Sequence, residues 1–137
     1  MLGIDERGYC TYCSGPKSDA PGELPAVDRY RSDRIVRLAD TARREGCPMW
    51  IVSGHYGLLE PTTAIPWYDK LLHEEDVADL VSACTDTLAR SGVKRLVYYT
   101  AAVTAAPDVA PYLRLVRLAC EGSGVVLDVV TLPGVPV

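Results

Sequence analysis

Cys13, Lys17, His55 and Asp69 are the side chains whose type and setting suit chemistry. Cys13 closes a strand-like run and precedes Ser14-Gly15-Pro16-Lys17. A thiol at a strand's carboxyl end, near a lysine, has surroundings that favour the thiolate. It could attack an electrophilic carbon, with His55 as general acid or base. Asp69 follows Trp67 and Tyr68 and could orient a ligand hydroxyl. With His55 it could instead serve acid–base cleavage of a glycosidic bond, and the residues leave both mechanisms open. Each position also has a structural alternative: a small residue in a tight turn for Cys13, a turn or cap aspartate for Asp69.

Cys10-Thr11-Tyr12-Cys13 raises a zinc reading, but a structural site needs about four ligands. There is no second Cys-x2-Cys, so Cys47 and His55 would have to complete it. An extended strand sends residues three apart to opposite faces. The expectation is therefore a buried Cys10, an exposed Cys13 and no metal. A redox pair made from these two cysteines is an alternative. Five cysteines in all, an odd count, suit reduced thiols.

These side chains need elements to hold them. The segment Trp50 to Pro61 is the most informative, because the apolar run Met49–Val52 stops at Ser53-Gly54-His55-Tyr56-Gly57. In open α/β sheets ligands lie beyond the carboxyl ends of strands, where small residues let the backbone approach. Further strand-like runs are Gly8–Cys13, Arg95–Thr100 and Val125–Leu132, the last ended by Pro133-Gly134. Between them lie helical patterns: one capped by Ser32 and closed by Gly46, one over Glu74–Ser91 closed by Gly92, one over Asp108–Glu121. Strands alternating with helices predict a single α/β domain over residues 1–137. Its expected form is a small three-layer structure of about four mainly parallel strands and three helices, flavodoxin- or Rossmann-like. If the first and third of these strands are neighbours, Cys13 and Thr100 border a crevice. The residues after the strands, Ser14, Lys17, Ser53, Gly54, Tyr56, Gly57 and Thr100, are then the expected substrate contacts. Tyr56, Trp67 and Tyr68 could form a stacking platform. The connection from Ser14 to about Val27 exceeds the usual 2–6 residues, itself a functional hint.

The chain has 137 residues, 48% hydrophobic and 23% charged, and no Phe. No apolar run approaches the roughly 20 residues that span a bilayer, and the acidic opening does not read as a signal peptide. A cytoplasmic location with no membrane partner is the expectation. A net charge of −4 argues against a dedicated duplex DNA binder. The cluster Arg29, Arg31, Arg34, Arg37, Arg43 and Arg44 reads as a solvated helix face. GxGxxG and GxxxxGK[ST] loops are missing, as are GxSxG and HExxH, so no cofactor is expected. Outer strands with exposed faces are compatible with a homodimer.

Ser53-Gly54-His55-Tyr56-Gly57-Leu58-Leu59-Glu60-Pro61, continuing to Ile65 and Tyr68-Asp69, resembles the YaaA-like family. So does the opening Tyr12-Cys13-Ser14-Gly15-Pro16-Lys17, with Pro25-Ala26 and Tyr30. The resemblance covers roughly residues 9 to 100. It implies an α/β domain with a pocket made by the first loop, the Tyr-Gly loop and the downstream Tyr-Asp, and adds Tyr30 to the substrate contacts. The Cys13-x3-Lys17 spacing is also similar to a core motif of archaeosine synthase, without the Ser and His that follow it there. Family associations are with oxidative-stress protection, DNA binding and nucleobase modification. The combined expectation is a small enzyme acting on a nucleobase, nucleoside or nucleotide-like ligand. The alternatives are a non-catalytic binding or stress-response module and the Cys10/Cys13 redox protein.

Overall fold

A computed structural model describes residues 6–132. Within them β1 (Arg7–Tyr12) leads through a short β2 (Leu24–Pro25) and α1 (Ala26–Arg29) into α2 (Asp33–Glu45) and β3 (Met49–Ser53). β4 (Gly57–Leu59), β5 (Ala64–Ile65), α3 (Glu74–Ser91) and β6 (Arg95–Ala101) follow. A 3₁₀ turn (Pro107–Val109), α4 (Ala110–Ser123) and β7 (Val126–Leu132) complete the fold. The main sheet has the order β4-β3-β1-β6-β7, parallel throughout except for the β3–β4 pair. The protein is thus the expected mixed α/β domain with a largely parallel sheet. Pro133-Gly134 lie outside the described residues.

Local chemistry explains the helices. Ser32 accepts from Ile35 N–H at 3.3 Å, and α2 buries Ile35, Leu38 and Ala42 before Gly46 turns into the left-handed region at φ 70°. α3 buries Val77, Cys84 and Leu88. α4 starts later than the sequence pattern suggests, because Pro107 favours a tight 3₁₀ turn first. Successive β1 residues identify the layers. Tyr9 and Thr11 reach α2 through Glu45 and Arg34, whereas Cys10 faces Cys84 of α3 and Cys120 of α4. Helices therefore cover both faces of the central strands.

Two parts of the pattern differ from expectation. The Ser-Gly-His-Tyr-Gly segment is a hairpin turn: Ser53 pairs with Gly57, whose φ of 76° lets β4 return antiparallel to β3. The sheet therefore has five strands rather than four. The long connection after β1 is ordered as well. β2 pairs antiparallel with β5, Lys17 forms a bridge with Tyr30, and Arg29 ties the loop down. Arg29 is wholly buried and donates to the carbonyls of Ser18, Ala20, Gly22 and Ile65 at 2.6–3.3 Å. It is not part of a solvated helix face.

β1 sits between β3, the next main strand in the chain, and β6. Connections leave it in opposite directions, so a crevice opens beyond its carboxyl end. Cys13 is the first residue past that end.

Candidate functional site at the carboxyl edge of the sheet

Two clusters occupy this edge. The first is built on the hairpin turn. Ser53 Oγ accepts from the N–H groups of His55 and Tyr56, both at 3.1 Å, and lies 2.8 Å from the Tyr68 hydroxyl. Tyr68 in turn hydrogen-bonds Tyr30. The ring of His55 packs edge-on to Tyr56, with centroids 4.4 Å apart, and 5.6 Å from Tyr68. Burial above all, with the neighbouring Cys13 as the second cause, pushes the Tyr30 and Tyr68 phenols above their ordinary range. Both hydroxyls therefore keep their protons and act as network members.

Gly54 connects this cluster to the second. A Cβ there would come within 2.8 Å of the Lys70 carbonyl and 2.9 Å of Leu72 N, so only glycine lets that backbone close in. Leu72 N–H then donates to the Tyr112 hydroxyl at 3.1 Å, and the Cys13 thiol donates to the same oxygen at 3.7 Å. The 66–72 segment is thereby fixed over the end of β1.

Beside the second cluster lies a cavity of 240 Å³. Tyr12 to Gly15 and Lys17 form one wall, Asp69 to Leu71 another, and Asp108, Val109 and Tyr112 the third. Lys17 Nζ donates to the Gly15 carbonyl at 3.3 Å and sits 4.8 Å from the Tyr68 ring centre. Lys70 is neutralised by Asp76 at 2.8 Å, and that ammonium holds the Asp76 carboxyl below its usual range. Asp69 and Asp108 form no ion pair among the described residues. Tyr12 is 1% exposed, and its hydroxyl has no hydrogen-bond partner. Burial, then the neighbouring Cys13, raises the Tyr112 phenol, so it keeps its proton at neutral pH.

The expected residues divide between these clusters. Cys13, Ser14, Lys17 and Asp69 line the cavity. Ser14 spends its hydroxyl on the Pro16 carbonyl at 2.6 Å. Tyr30, Ser53, Gly54, Tyr56, Gly57 and Tyr68 belong to the hairpin cluster and support the cavity from behind. His55 is exposed and is not among the lining residues. Thr100 does not border the cavity: it is buried, and its hydroxyl donates to the Ala101 carbonyl at 3.0 Å. Cys13, expected to be exposed, is 7% exposed because Tyr112 and the 66–72 segment cover it. Among the described residues no group of three His, Cys, Asp or Glu could hold a metal.

Sequence reasoning missed Tyr12, Asp108 and Tyr112. Tyr112 was hidden in an apolar helical stripe, where a tyrosine reads as core. Asp108 stands just after Pro107, and its place in the 3₁₀ turn that leads into α4 was a usable signal.

No family model, curated protein or solved structure matches this chain. Function therefore has to be inferred from the site itself.

Proposed function

We propose that the protein is a small enzyme acting on a nucleobase, nucleoside or nucleotide-like substrate, and that residues 9 to 100 are those of a YaaA-like protein. One observation carries this reading: a thiol, an ammonium and an unpaired carboxylate, from Cys13, Lys17 and Asp69, surround one cavity at the sheet's switch point. At 240 Å³ the space lies below the roughly 300–1,000 Å³ of drug-sized ligand sites, so it suits a single heterocycle with little attached. Tyr12 and Tyr112, with ring centres 6.3 Å apart, are the aromatic walls in reach of a planar ring. They take the stacking role expected of Tyr56, Trp67 and Tyr68.

In this reading Lys17 holds an anionic or carbonyl group. Asp69 accepts from ring N–H or ribose hydroxyl donors. Cys13 is the nucleophile, or Asp69 alone serves as the acid–base group, since His55 stands outside the cavity. The redox alternative gains no support, because Cys10 is fully buried and burial pushes its thiol well up, away from the thiolate that exchange requires.

The test is a thermal-shift screen against nucleobases, nucleosides and nucleotides, followed by turnover assays on the hits. The expected result is a stabilising ligand whose effect disappears in Asp69→Ala. For an enzyme, Cys13→Ser or Asp69→Asn keeps ligand binding and loses about 10²–10⁴-fold in turnover. Binding without turnover in the wild type would instead make the protein a sensor or stress-response module. A screen with no base-like hit would sink the proposal.

A further inference from the structure

Arg34 leaves the first turn of α2 and points inward rather than to solvent. Its guanidinium lies 3.6 Å above the Tyr12 ring centre. One nitrogen donates to Thr11 Oγ1 and, at 2.6 Å, to the Tyr12 carbonyl; another donates to the Cys13 carbonyl at 3.4 Å. The same side chain thus holds three consecutive residues at the end of β1. Its Nε is buried without a partner, and no carboxylate among the described residues pairs with it.

Such a charge is costly to bury, and the cost falls when a negative charge forms nearby. Burial lowers the pKa of Arg34, and the acids that face it are Tyr12, Tyr98 and Cys13 rather than any carboxylate. Tyr98 is completely enclosed, and burial drives its phenol far up. Cys13 is the thiol among them, and like Tyr12 it lines the cavity. Tyr112 complements it. Its oxygen already accepts from Leu72 N–H, so its own proton is free to turn toward the sulfur once the thiol ionises.

We propose that Arg34 is the positioning residue of Cys13: it fixes the Tyr12–Cys13 backbone and supplies the uncompensated positive charge against which the thiol ionises. This rests on reading the cavity as the site of Cys13 chemistry. Arg34 touches no ligand itself and acts through the sulfur.

The experiment is site-resolved alkylation of the full chain by iodoacetamide between pH 6 and 10, following the Cys13 peptide by mass spectrometry. Ionisation releases the thiol proton to solvent; the thiolate then forms the S–C bond and expels iodide. Arg34→Gln should slow Cys13 alkylation about ten-fold at pH 7, one unit's worth of ionisation. The deficit should close toward pH 10, where the thiol ionises without help. Arg34→Lys, which keeps the charge, should recover most of the rate. Equal rates at pH 7, or a deficit unchanged across the pH range, would overturn the proposal. If Arg34→Gln does not fold, Arg34→Lys decides: a near wild-type rate at pH 7 supports the role, and a ten-fold loss persisting at pH 10 refutes it. No substrate enters this assay. A failed ligand screen with the expected pH-dependent deficit sinks the nucleobase reading alone, and a ligand hit with no Arg34 effect sinks this inference alone.

Discussion

Arg29 and Arg34 stand five residues apart, are both turned into the protein, and lack a carboxylate partner among the described residues; their surroundings nevertheless differ in kind. Arg29 spends its guanidinium on four backbone carbonyls and pins the loop after β1 against β5. Ser53, Tyr30 and Tyr68 nearby are equally well satisfied. Around Arg34 the situation differs: among the described residues its own Nε and the hydroxyls of Tyr12 and Tyr98 are buried without hydrogen-bond partners. Saturated polar groups hold a fold together, whereas unsaturated ones next to a cavity await a ligand or a reaction. The motif-rich hairpin is thus the better satisfied of the two regions, and the unpartnered hydroxyls of Tyr12 and Tyr98 lie on β1 and its neighbour β6.

That contrast can be broken most forcefully at Arg29. Arg29→Ala leaves several buried carbonyls without donors and should cost about 3–5 kcal/mol, measured by urea unfolding. A cost under about 1 kcal/mol would mean that the loop is held by something else.

A paired substitution sharpens the comparison. Tyr68→Phe removes one member of a completed network and takes a partner from the hydroxyls of Tyr30 and Ser53, so it should destabilise by about 1–2 kcal/mol. Tyr12→Phe removes a hydroxyl that has no partner, so stability should change by less than about 1 kcal/mol, or rise, while affinity for the cavity ligand falls. Equal stability losses in the two variants would erase the distinction between the clusters.

The mildest effect concerns pH. Burial, before any other cause, raises Cys84 and Cys120 to about 11; burial and the hydrogen bond to Glu45 raise Tyr9 to about 12. In each the neutral form is favoured in the fold. The corresponding stability is complete below the unfolded thiol and phenol values, roughly 8.5–10, and is lost as pH rises through about 11 to 12. Melting temperature should therefore hold steady from neutral pH to about 8.5 and fall above it. A flat profile to pH 11 would show that these groups stay exposed to solvent.

Much of the scaffold was legible because it rests on local periodicity. Glu74–Ser91 has the bounds read from its apolar stripe, and the four main parallel strands agree with theirs to within a residue. β2, β4, β5 and α1 were not legible: each is two to four residues long and exists through a distant partner, as Leu24 does through Ile65. The site divides the same way. Cys13, Ser14, Lys17 and Asp69, named from residue type and position, line the cavity, while Tyr12 and Tyr112, which line it too, looked like core.

The sequence by itself determined the alternation of elements, the helix caps, and which thiol would close the first strand, since these follow from patterning over a few neighbours. The tertiary structure alone decided that β1 pairs with both β3 and β6, that Gly54 admits the Lys70–Leu72 backbone, and that one arginine clamps a loop while another holds the carbonyls of Tyr12 and Cys13. Those outcomes depend on which groups find partners across the fold, and a buried charge takes its role from what lies within a few ångströms of it.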